Sequence, residues 1–240
     1  MKHIIAAAVI ALSSLIAGCG DFSCSDIMTN RARRLSGVES IEEIQSKIAR
    51  EADMVKRRGK DPRTLAILYQ RLGEKHLQQK KWDSAIEALG ESMRHGRKNM
   101  LVFYSMGAAY ANKSTESGND PSLAAQAEQY YLKALELNPG YNDAAYALGI
   151  LQFYTRKDRE VGLKTMFELS TQHPSYYRGR FALGRFYYEM GRSEQSLATF
   201  EGLYRDLENA PQSDMVREYK KLAGDNIARI ISERRSGSAK

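Results

Sequence analysis

Apolar side chains recur at helical spacing along residues 62–210, and one feature of this pattern repeats. Glycine follows a large apolar residue at a regular period in four places, Leu72-Gly73, Met106-Gly107, Leu148-Gly149 and Leu183-Gly184. Successive glycines are 34, 42 and 35 residues apart. A glycine inside a helix costs roughly 1 kcal/mol relative to alanine, so each glycine needs a packing reason. We expect each one to let a second helix approach closely.

The second helix of each pair shows a matching pattern. A small residue follows each glycine after 12, 20, 13 and 12 residues, and a larger apolar residue comes four positions later. The small residues are Ala85, Ala127, Gly162 and Ser196, and the larger ones are Leu89, Tyr131, Met166 and Phe200. The excess of eight residues in the second repeat and of one in the third is expected in the turns, which tolerate length changes better than helix faces do.

The pattern predicts four helix pairs with a helix at each end. The pairs are 62–79 with 82–95, 98–112 with 121–137, 141–156 with 159–172, and 175–190 with 193–208, with a loop at 113–120. Ser40 to Glu43 form a capping box that starts an N-terminal helix, which should cover the first pair. A capping helix is predicted at 212–235. The residues of this helix that should face inward are Met215, Tyr219, Leu222, Ile227 and Ile230. Residues 236–240 are predicted to be disordered.

This spacing resembles the tetratricopeptide repeat (TPR), whose two antiparallel helices pack through a glycine and an alanine before a closing proline. Pro139 and Pro174 close two of the units. The resemblance implies an all-α, right-handed superhelical array over residues 40–235, with repeats at about 62–97, 98–140, 141–174 and 175–210. His76, Gln152 and Arg180 depart from the family pattern, because these positions usually carry an aromatic or aliphatic side chain.

The N-terminus carries a separate signal. Residues 1–18 have a basic start and an uncharged stretch too short to span a bilayer, as is typical of a signal peptide. Ile16-Ala17-Gly18-Cys19 resembles the lipobox of bacterial lipoproteins, which implies cleavage before Cys19 and attachment of acyl chains to it. Residues 19–39 are predicted to form a flexible tether in which Cys24 has no partner. Gly20 in place of an aspartate favours the periplasmic side of the outer membrane over the inner membrane.

Composition narrows the possible functions of the 240 residues. The formal charge is +7, but the 36 lysines and arginines are spread over most helices rather than clustered, so nucleic-acid binding is not expected. The four histidines are isolated, and no phosphate-binding loop or Gly-x-Ser-x-Gly motif is present. The sequence therefore predicts neither an enzyme nor a metal or cofactor site.

A binding groove is predicted on the concave face, which the first helix of each pair lines in TPR arrays. The candidate residues are Tyr104, Tyr146, Phe153, Tyr154, Arg178, Phe181, Arg185 and Tyr188. Aromatic rings supply contact area at low entropic cost, and a guanidinium can hold a carboxylate. The alternative is that some of these rings belong to the core or pack on the terminal helix.

Two functions remain open at this point. The first is a scaffold that is anchored to the membrane through lipidated Cys19 and binds a protein or peptide partner during envelope assembly, secretion or transport. The second resembles TPR lipoproteins that form homo-oligomers beside a periplasmic solute transporter and hold a hydrophobic or carboxylate small molecule. An aromatic groove is compatible with both.

Overall fold

The computed structural model describes residues 39–59 and 61–237, which form ten α-helices and no strand. The helices are α1 (Ile41–Arg58), α2 (Arg63–Gln78), α3 (Trp82–Arg94), α4 (Met100–Glu116), α5 (Pro121–Leu137), α6 (Asn142–Ile150), α7 (Arg159–Gln172), α8 (Tyr177–Glu189), α9 (Ser193–Glu208) and α10 (Asp214–Gly237). A π-helical segment, Leu151–Thr155, continues α6. The observed bounds of α5, α7 and α9 equal those predicted.

The described part of the chain divides into two compact units, with the boundary between residues 133 and 134, inside α5. In the described part of the first unit, α1 packs against α2, α2 against α3, and α3 against α4. Buried residues of α1, α2 and α3 share one apolar cluster, so α1 covers the first helix pair as predicted. In the second unit, α6 to α10 likewise pack on their sequence neighbours.

Side-chain caps fix the start of several helices, among them α1 and α5. The Ser40 backbone N–H donates to Glu43 Oε2 at 2.8 Å, and the Glu43 N–H donates to Ser40 Oγ at 3.1 Å, which confirms the predicted capping box. At the start of α5, Asp120 Oδ1 accepts hydrogen bonds from the N–H groups of Ser122 and Leu123. These bonds satisfy donors that have no partner within the helix.

The repeated glycines lie where paired helices touch. A Cβ atom built on Gly73 would lie 2.6 Å from Leu89, and one on Gly107 would lie 2.6 Å from Tyr131. The other two contacts follow the same rule: Gly149 meets Met166 at 2.9 Å and Gly184 meets Phe200 at 2.8 Å. Each partner is the larger apolar residue that the spacing singled out, so the predicted helix pairing is confirmed.

The eight extra residues of the second repeat do not form the predicted loop at 113–120. Helix α4 continues to Glu116, nine residues past Gly107, whereas α2 ends at Gln78, five residues past Gly73. Helix α5 starts six residues before its small residue, Ala127, whereas α3 starts three residues before Ala85. Extending the helices gives the extra backbone groups intrahelical hydrogen bonds, which a loop would not provide. Only residues 117–120 remain between α4 and α5.

The one extra residue of the third repeat is accommodated in the π-helical segment rather than in the turn. The Arg156 N–H donates to the carbonyl of Leu151 at 2.9 Å, five residues back, so this turn holds one residue more than an α-helical turn. The segment brings the Phe153 backbone against α7, where a Cβ on Gly162 would lie 2.7 Å from the Phe153 nitrogen. The helix at this point therefore requires glycine.

The three residues that depart from the TPR pattern each have a place in the fold. His76 is buried, as expected for a residue in an aromatic core position. Gln152 is also buried, and its Oε1 accepts a hydrogen bond from Thr165 Oγ1 at 2.8 Å. The Arg180 guanidinium, largely covered, forms an ion pair with Asp206 on α9.

The terminal helix α10 packs on α9, and two of its five residues predicted to face inward, Tyr219 and Ile230, are buried. The rest of its inner face is rotated from the predicted one. Its buried residues are Val216, Tyr219, Ala223, Asn226 and Ile230. Met215, predicted to face inward, is 53% exposed, because the next residue occupies the core position. Helix α10 also runs through Gly237, so Ser236 and Gly237 are helical rather than disordered.

No helix among residues 39–59 and 61–237 combines the length and the apolarity needed to cross a bilayer. The predicted signal peptide, the lipid-attachment site Cys19 and all but the last residue of the predicted tether lie outside the described residues. These predictions are unaffected by the fold.

Candidate functional site

The first unit carries an open groove of about 650 Å³ between α3, α4 and the first part of α5. We call it the first-unit groove. Its floor consists of apolar and aromatic side chains, all at least partly buried: Ile86, Met93, Phe103, Met106, Tyr110 and Tyr130. Most of them pack against the buried cluster around Leu89 and Val102. The floor is thus a part of the core that remains accessible to solvent.

Three stacked rings form a rigid part of this floor. The Tyr130 ring is nearly parallel to that of Tyr110, with an interplanar angle of 6° and centroids 5.6 Å apart. Phe103 stacks against Tyr130 at 6.3 Å. Burial raises the pKa of the Tyr130 hydroxyl above its ordinary value. Aromatic rings held in this way can contact a ligand with little further loss of conformational entropy.

Positive charge predominates at the rim of the groove. Lys98 and Lys133 are exposed, and neither forms an ion pair with another residue in the part of the chain that the structure describes. Lys133 Nζ lies 5.1 Å from the centroid of the Tyr130 ring. Arg94 is neutralised in part by Glu91, to which its Nε donates at 3.0 Å, and Glu87 is the single carboxylate in the lining. The rim therefore favours an anionic ligand.

None of the eight residues predicted for the concave groove lines the first-unit groove. Tyr104, the one of the eight in the first unit, is 2% exposed, with its ring 5.9 Å from that of Tyr131. Tyr104 belongs to the core, where its ring adds to the contact between α4 and α5. The signal that could have indicated the first-unit groove is Gly90, a glycine inside α3 that does not belong to the repeated series.

In the second unit, three more of the predicted groove residues are buried. Phe153 is 1% exposed and stacks on Phe186 with centroids 3.8 Å apart. Phe181 is 5% exposed and contacts Tyr219 of α10 at 5.8 Å. Tyr146 is 4% exposed. For these residues the alternative interpretation holds: their rings pack in the core or on the terminal helix, which covers the face predicted to be open.

The polar groups of the predicted concave groove contact groups of the protein itself. Arg185 Nη2 lies 3.2 Å from Glu189 Oε1, one turn further along α8. The Tyr154 hydroxyl donates to the same oxygen at 2.6 Å, although its side chain remains partly exposed. The Tyr188 hydroxyl lies 2.8 Å from Glu233 of α10. These carboxylates satisfy the polar groups that an acidic ligand would have engaged.

Arg178, the last of the predicted groove residues, stacks on the core. Its guanidinium carbon lies 4.4 Å from the centroid of the Tyr146 ring. Nearby, the Tyr176 hydroxyl donates to Asp143 Oδ1 at 2.8 Å, and burial raises its pKa. The concave groove as a binding surface stays a prediction, with Tyr154, Arg185 and Tyr188 among the members that retain access to solvent.

The described residues contain no cluster of three or more histidine, cysteine, aspartate or glutamate side chains that could hold a metal ion. The side chains of the first-unit groove are suited to binding a ligand. Its apolar floor offers contact area, and its rim offers cations that can orient an acidic group.

Comparison with known proteins gives a consistent picture of the fold. No family model and no curated protein matches the chain. Among solved structures, MamA is similar at 18% identity and a TM-score of 0.55, covering 70% of this chain and 91% of MamA. TTC0263, a thermophilic TPR protein of Thermus thermophilus, is similar at 17% identity and a TM-score of 0.55, covering 82% of this chain and 98% of that protein.

A third structure, YrrB, is described as a TPR protein with an unusual peptide-binding site. It is 18% identical with a TM-score of 0.53, and the match covers 81% of this chain and 90% of YrrB. Identities this low establish the fold only. Together with the glycine contacts and the paired helices, they show that this chain is an all-α array of TPR helices.

Proposed function

We propose that this protein is a membrane-anchored TPR adaptor of the bacterial cell envelope that binds a polypeptide partner through the first-unit groove. The observation that carries the proposal is the groove itself, where a stacked aromatic floor lies open to solvent beneath two exposed lysines. A folded protein rarely leaves such rings accessible without a binding role.

The openness of the groove favours a polypeptide over a small molecule. Small-molecule sites typically enclose about 70–90% of the ligand surface. Here Glu87, Arg94, Lys98 and Lys133 are all exposed, so one side of a ligand would remain in water. A polypeptide can cover the groove with one face and keep its other face solvated. The similarity in fold to YrrB, described as having a peptide-binding site, supports the same class of ligand.

Anchoring is the second part of the proposal and rests on the sequence. Acyl chains on Cys19 would hold the protein at the periplasmic side of the outer membrane, as the lipobox resemblance and Gly20 indicate. One acyl chain alone binds membranes weakly, so the several chains of a lipoprotein are needed for stable attachment. The helical array would then extend from the membrane and present the groove to partners.

Site-specific photocrosslinking tests the binding part of the proposal. A photoreactive benzophenone amino acid replaces Glu87, exposed in the groove, or Lys164, whose side chain is 77% exposed on α7 of the second unit. In intact cells, we expect protease-sensitive adducts of discrete mass from position 87 and none from position 164. Equal labelling from both positions would refute the assignment of the groove. A small molecule found by native mass spectrometry in the delipidated protein, with no adduct, would instead favour the transporter accessory.

The anchoring part is tested by Cys19→Ala. This variant should incorporate no labelled palmitate and should remain as an unprocessed precursor, because the thiol that receives the lipid is missing. Palmitate incorporation equal to that of the unmodified protein would remove the lipoprotein interpretation while leaving the groove proposal intact.

A further inference from the structure

No packing contact with the described residues explains why position 90 is a glycine. Gly90 lies in the interior of α3, where glycine costs roughly 1 kcal/mol relative to alanine. At Gly73, Gly107 and Gly149, a side chain of the paired helix lies within 3 Å of the position that a Cβ would occupy. At Gly90, nothing among the described residues outside its own helical turns comes within 4 Å. Of the described glycines inside helices, this one alone borders open space.

The open space next to Gly90 is the first-unit groove. Ile86 and Met93 lie one turn before and one turn after Gly90 on the same side of α3, and all three residues line the groove. Between two apolar side chains, the helix thus presents a strip of bare backbone. In helix packing, such a strip allows another element to approach unusually closely.

We infer that the first-unit groove receives an amphipathic helix of a partner protein, with one large apolar side chain of that helix placed against Gly90. This inference rests on the proposed polypeptide-binding function and specifies its partner. The fold supplies the precedent, because each repeated glycine receives a leucine, tyrosine, methionine or phenylalanine side chain from the helix that packs on it. The partner helix would pack on Gly90 in the same way as the second helix of each pair packs on the repeated glycine of the first helix.

A helix fits this groove better than an extended peptide does. An extended peptide needs hydrogen-bonding partners for its backbone, which it usually finds at a free strand edge. The groove is built from three helices whose own backbone groups are bonded internally, and its floor is apolar. A helix satisfies its backbone internally and can place an apolar face on such a floor.

The charge of the rim specifies the residues that flank the apolar face. Lys98 and Lys133 are exposed cations, and Glu87 is the only carboxylate that lines the groove. Aspartate or glutamate side chains on either side of the apolar stripe would complement the two lysines, whereas basic side chains would be repelled. The expected partner segment is therefore an acidic amphipathic helix.

The probe for this inference is a phage-displayed library of random peptides of roughly 16 residues, which is about four helical turns. The library is selected against the purified full-length chain in nanodiscs of neutral phosphatidylcholine. We expect enriched peptides to carry large apolar residues at steps of three and four, flanked by aspartate or glutamate. The strongest one is then synthesised with a fluorescent label, and its dissociation constant is measured by anisotropy.

Gly90→Leu fills the bare strip and should weaken binding of that peptide by about tenfold or more, because the added side chain occupies the contact point. The matched control is Gly224→Leu on α10, outside the groove, where a Cβ makes an ordinary contact of 3.5 Å with Tyr204. This control should bind like the unmodified protein. The double variant Lys98→Glu, Lys133→Glu should lose the acidic peptide and bind a version with lysines in place of its acidic residues.

The outcomes separate this inference from the proposed function. Peptides that bind equally well to Gly90→Leu, or that show no acidic preference, would overturn the docked helix while leaving polypeptide binding intact. If no peptide were enriched, and if laurate bound to the unmodified protein but not to Gly90→Leu, both the docked helix and the polypeptide-binding function would be contradicted. The ligand would then be an anionic amphiphile. Self-association of the unmodified chain in sedimentation velocity, abolished by Gly90→Leu, would identify a second copy as the occupant instead.

Discussion

Replacing Gly162 by alanine should destabilise the second unit, although alanine is the better helix former. A Cβ at this position would lie 2.7 Å from the Phe153 nitrogen, 2.8 Å from the Phe153 Cβ and 2.9 Å from the Gly149 carbonyl oxygen. Favourable contacts between carbon atoms lie at about 3.5–4.0 Å. Two of the three obstructing atoms belong to the backbone and the third is a Cβ, so no side-chain rotation can relieve the clash. The π-helical segment and α7 would have to move apart.

The magnitude follows from two opposing terms. Overpacking of this kind costs about 1–3 kcal/mol. The gain in helix propensity from glycine to alanine is at most about 1 kcal/mol. Because rigid groups form the contact, we expect a cost in the upper part of this range. After subtraction of the gain in helix propensity, the net loss of unfolding free energy is about 1–2 kcal/mol. For a unit of about 100 residues, this lowers the Tm by roughly 4–15 °C.

Two other glycine-to-alanine variants serve as controls of known geometry. At Gly149 the nearest atom is the Cε of Met166, the end of a flexible side chain, so alanine should be close to neutral. At Gly90 nothing among the described residues obstructs the Cβ, and alanine should raise stability by up to about 1 kcal/mol.

Thermal unfolding followed by far-UV circular dichroism measures the helix content of all three variants. The fluorescence of Trp82, the single tryptophan of the chain, assigns transitions in the first unit. The expected order of stability is Gly90→Ala, then Gly149→Ala, then Gly162→Ala. If Gly162→Ala melted at or above the temperature of the unmodified protein, the close contact between the π-helical segment and α7 would be wrong.

Two predictions concern pH. Burial raises the pKa of Tyr219 to about 12, so its contribution to stability is present below its ordinary value near 10 and is lost as the pH rises towards 12. Urea midpoints should fall over this range, and less steeply in Tyr219→Phe; equal slopes would refute the assignment. Burial lowers the pKa of His76, so its contribution is present above about pH 6.5 and is lost as the pH falls below it. His76→Leu should remove part of the stability loss between pH 7 and pH 5, and an unchanged loss would show that other groups cause it.

Much of the fold could be predicted because the pairing of the helices is specified locally. Gly107 and Tyr131 occupy fixed positions in one repeat, and the same spacing returns at Gly184 and Phe200. Each pair joins helices that are neighbours along the chain, so the period of the pattern also identifies the partner. The inserted residues were harder to place, because a length difference alone does not say whether added residues extend a helix, form a π turn or lengthen a loop.

The candidate site was largely unpredictable for a related reason. A helical stripe shows which side chains share a face, but it does not show what covers that face. Tyr188 is bound by Glu233, 45 residues away, and Arg185 is bound by Glu189 on its own helix. Neither contact follows from the TPR pattern, so side chains that the sequence marked as ligand-binding proved to be partners of the chain's own carboxylates.

The sequence by itself determined the helices and their pairing, because helix formation and glycine contacts depend on residues close together in the chain. It also contains the lipobox resemblance at Cys19, since that signal is purely local. Only the tertiary structure decided which apolar surfaces remain open. The groove around Gly90 combines three helices and exists because nothing else in the described part of the first unit fills it. Whether a surface is covered depends on the packing of distant segments, and for that reason the helix period alone could not locate the groove.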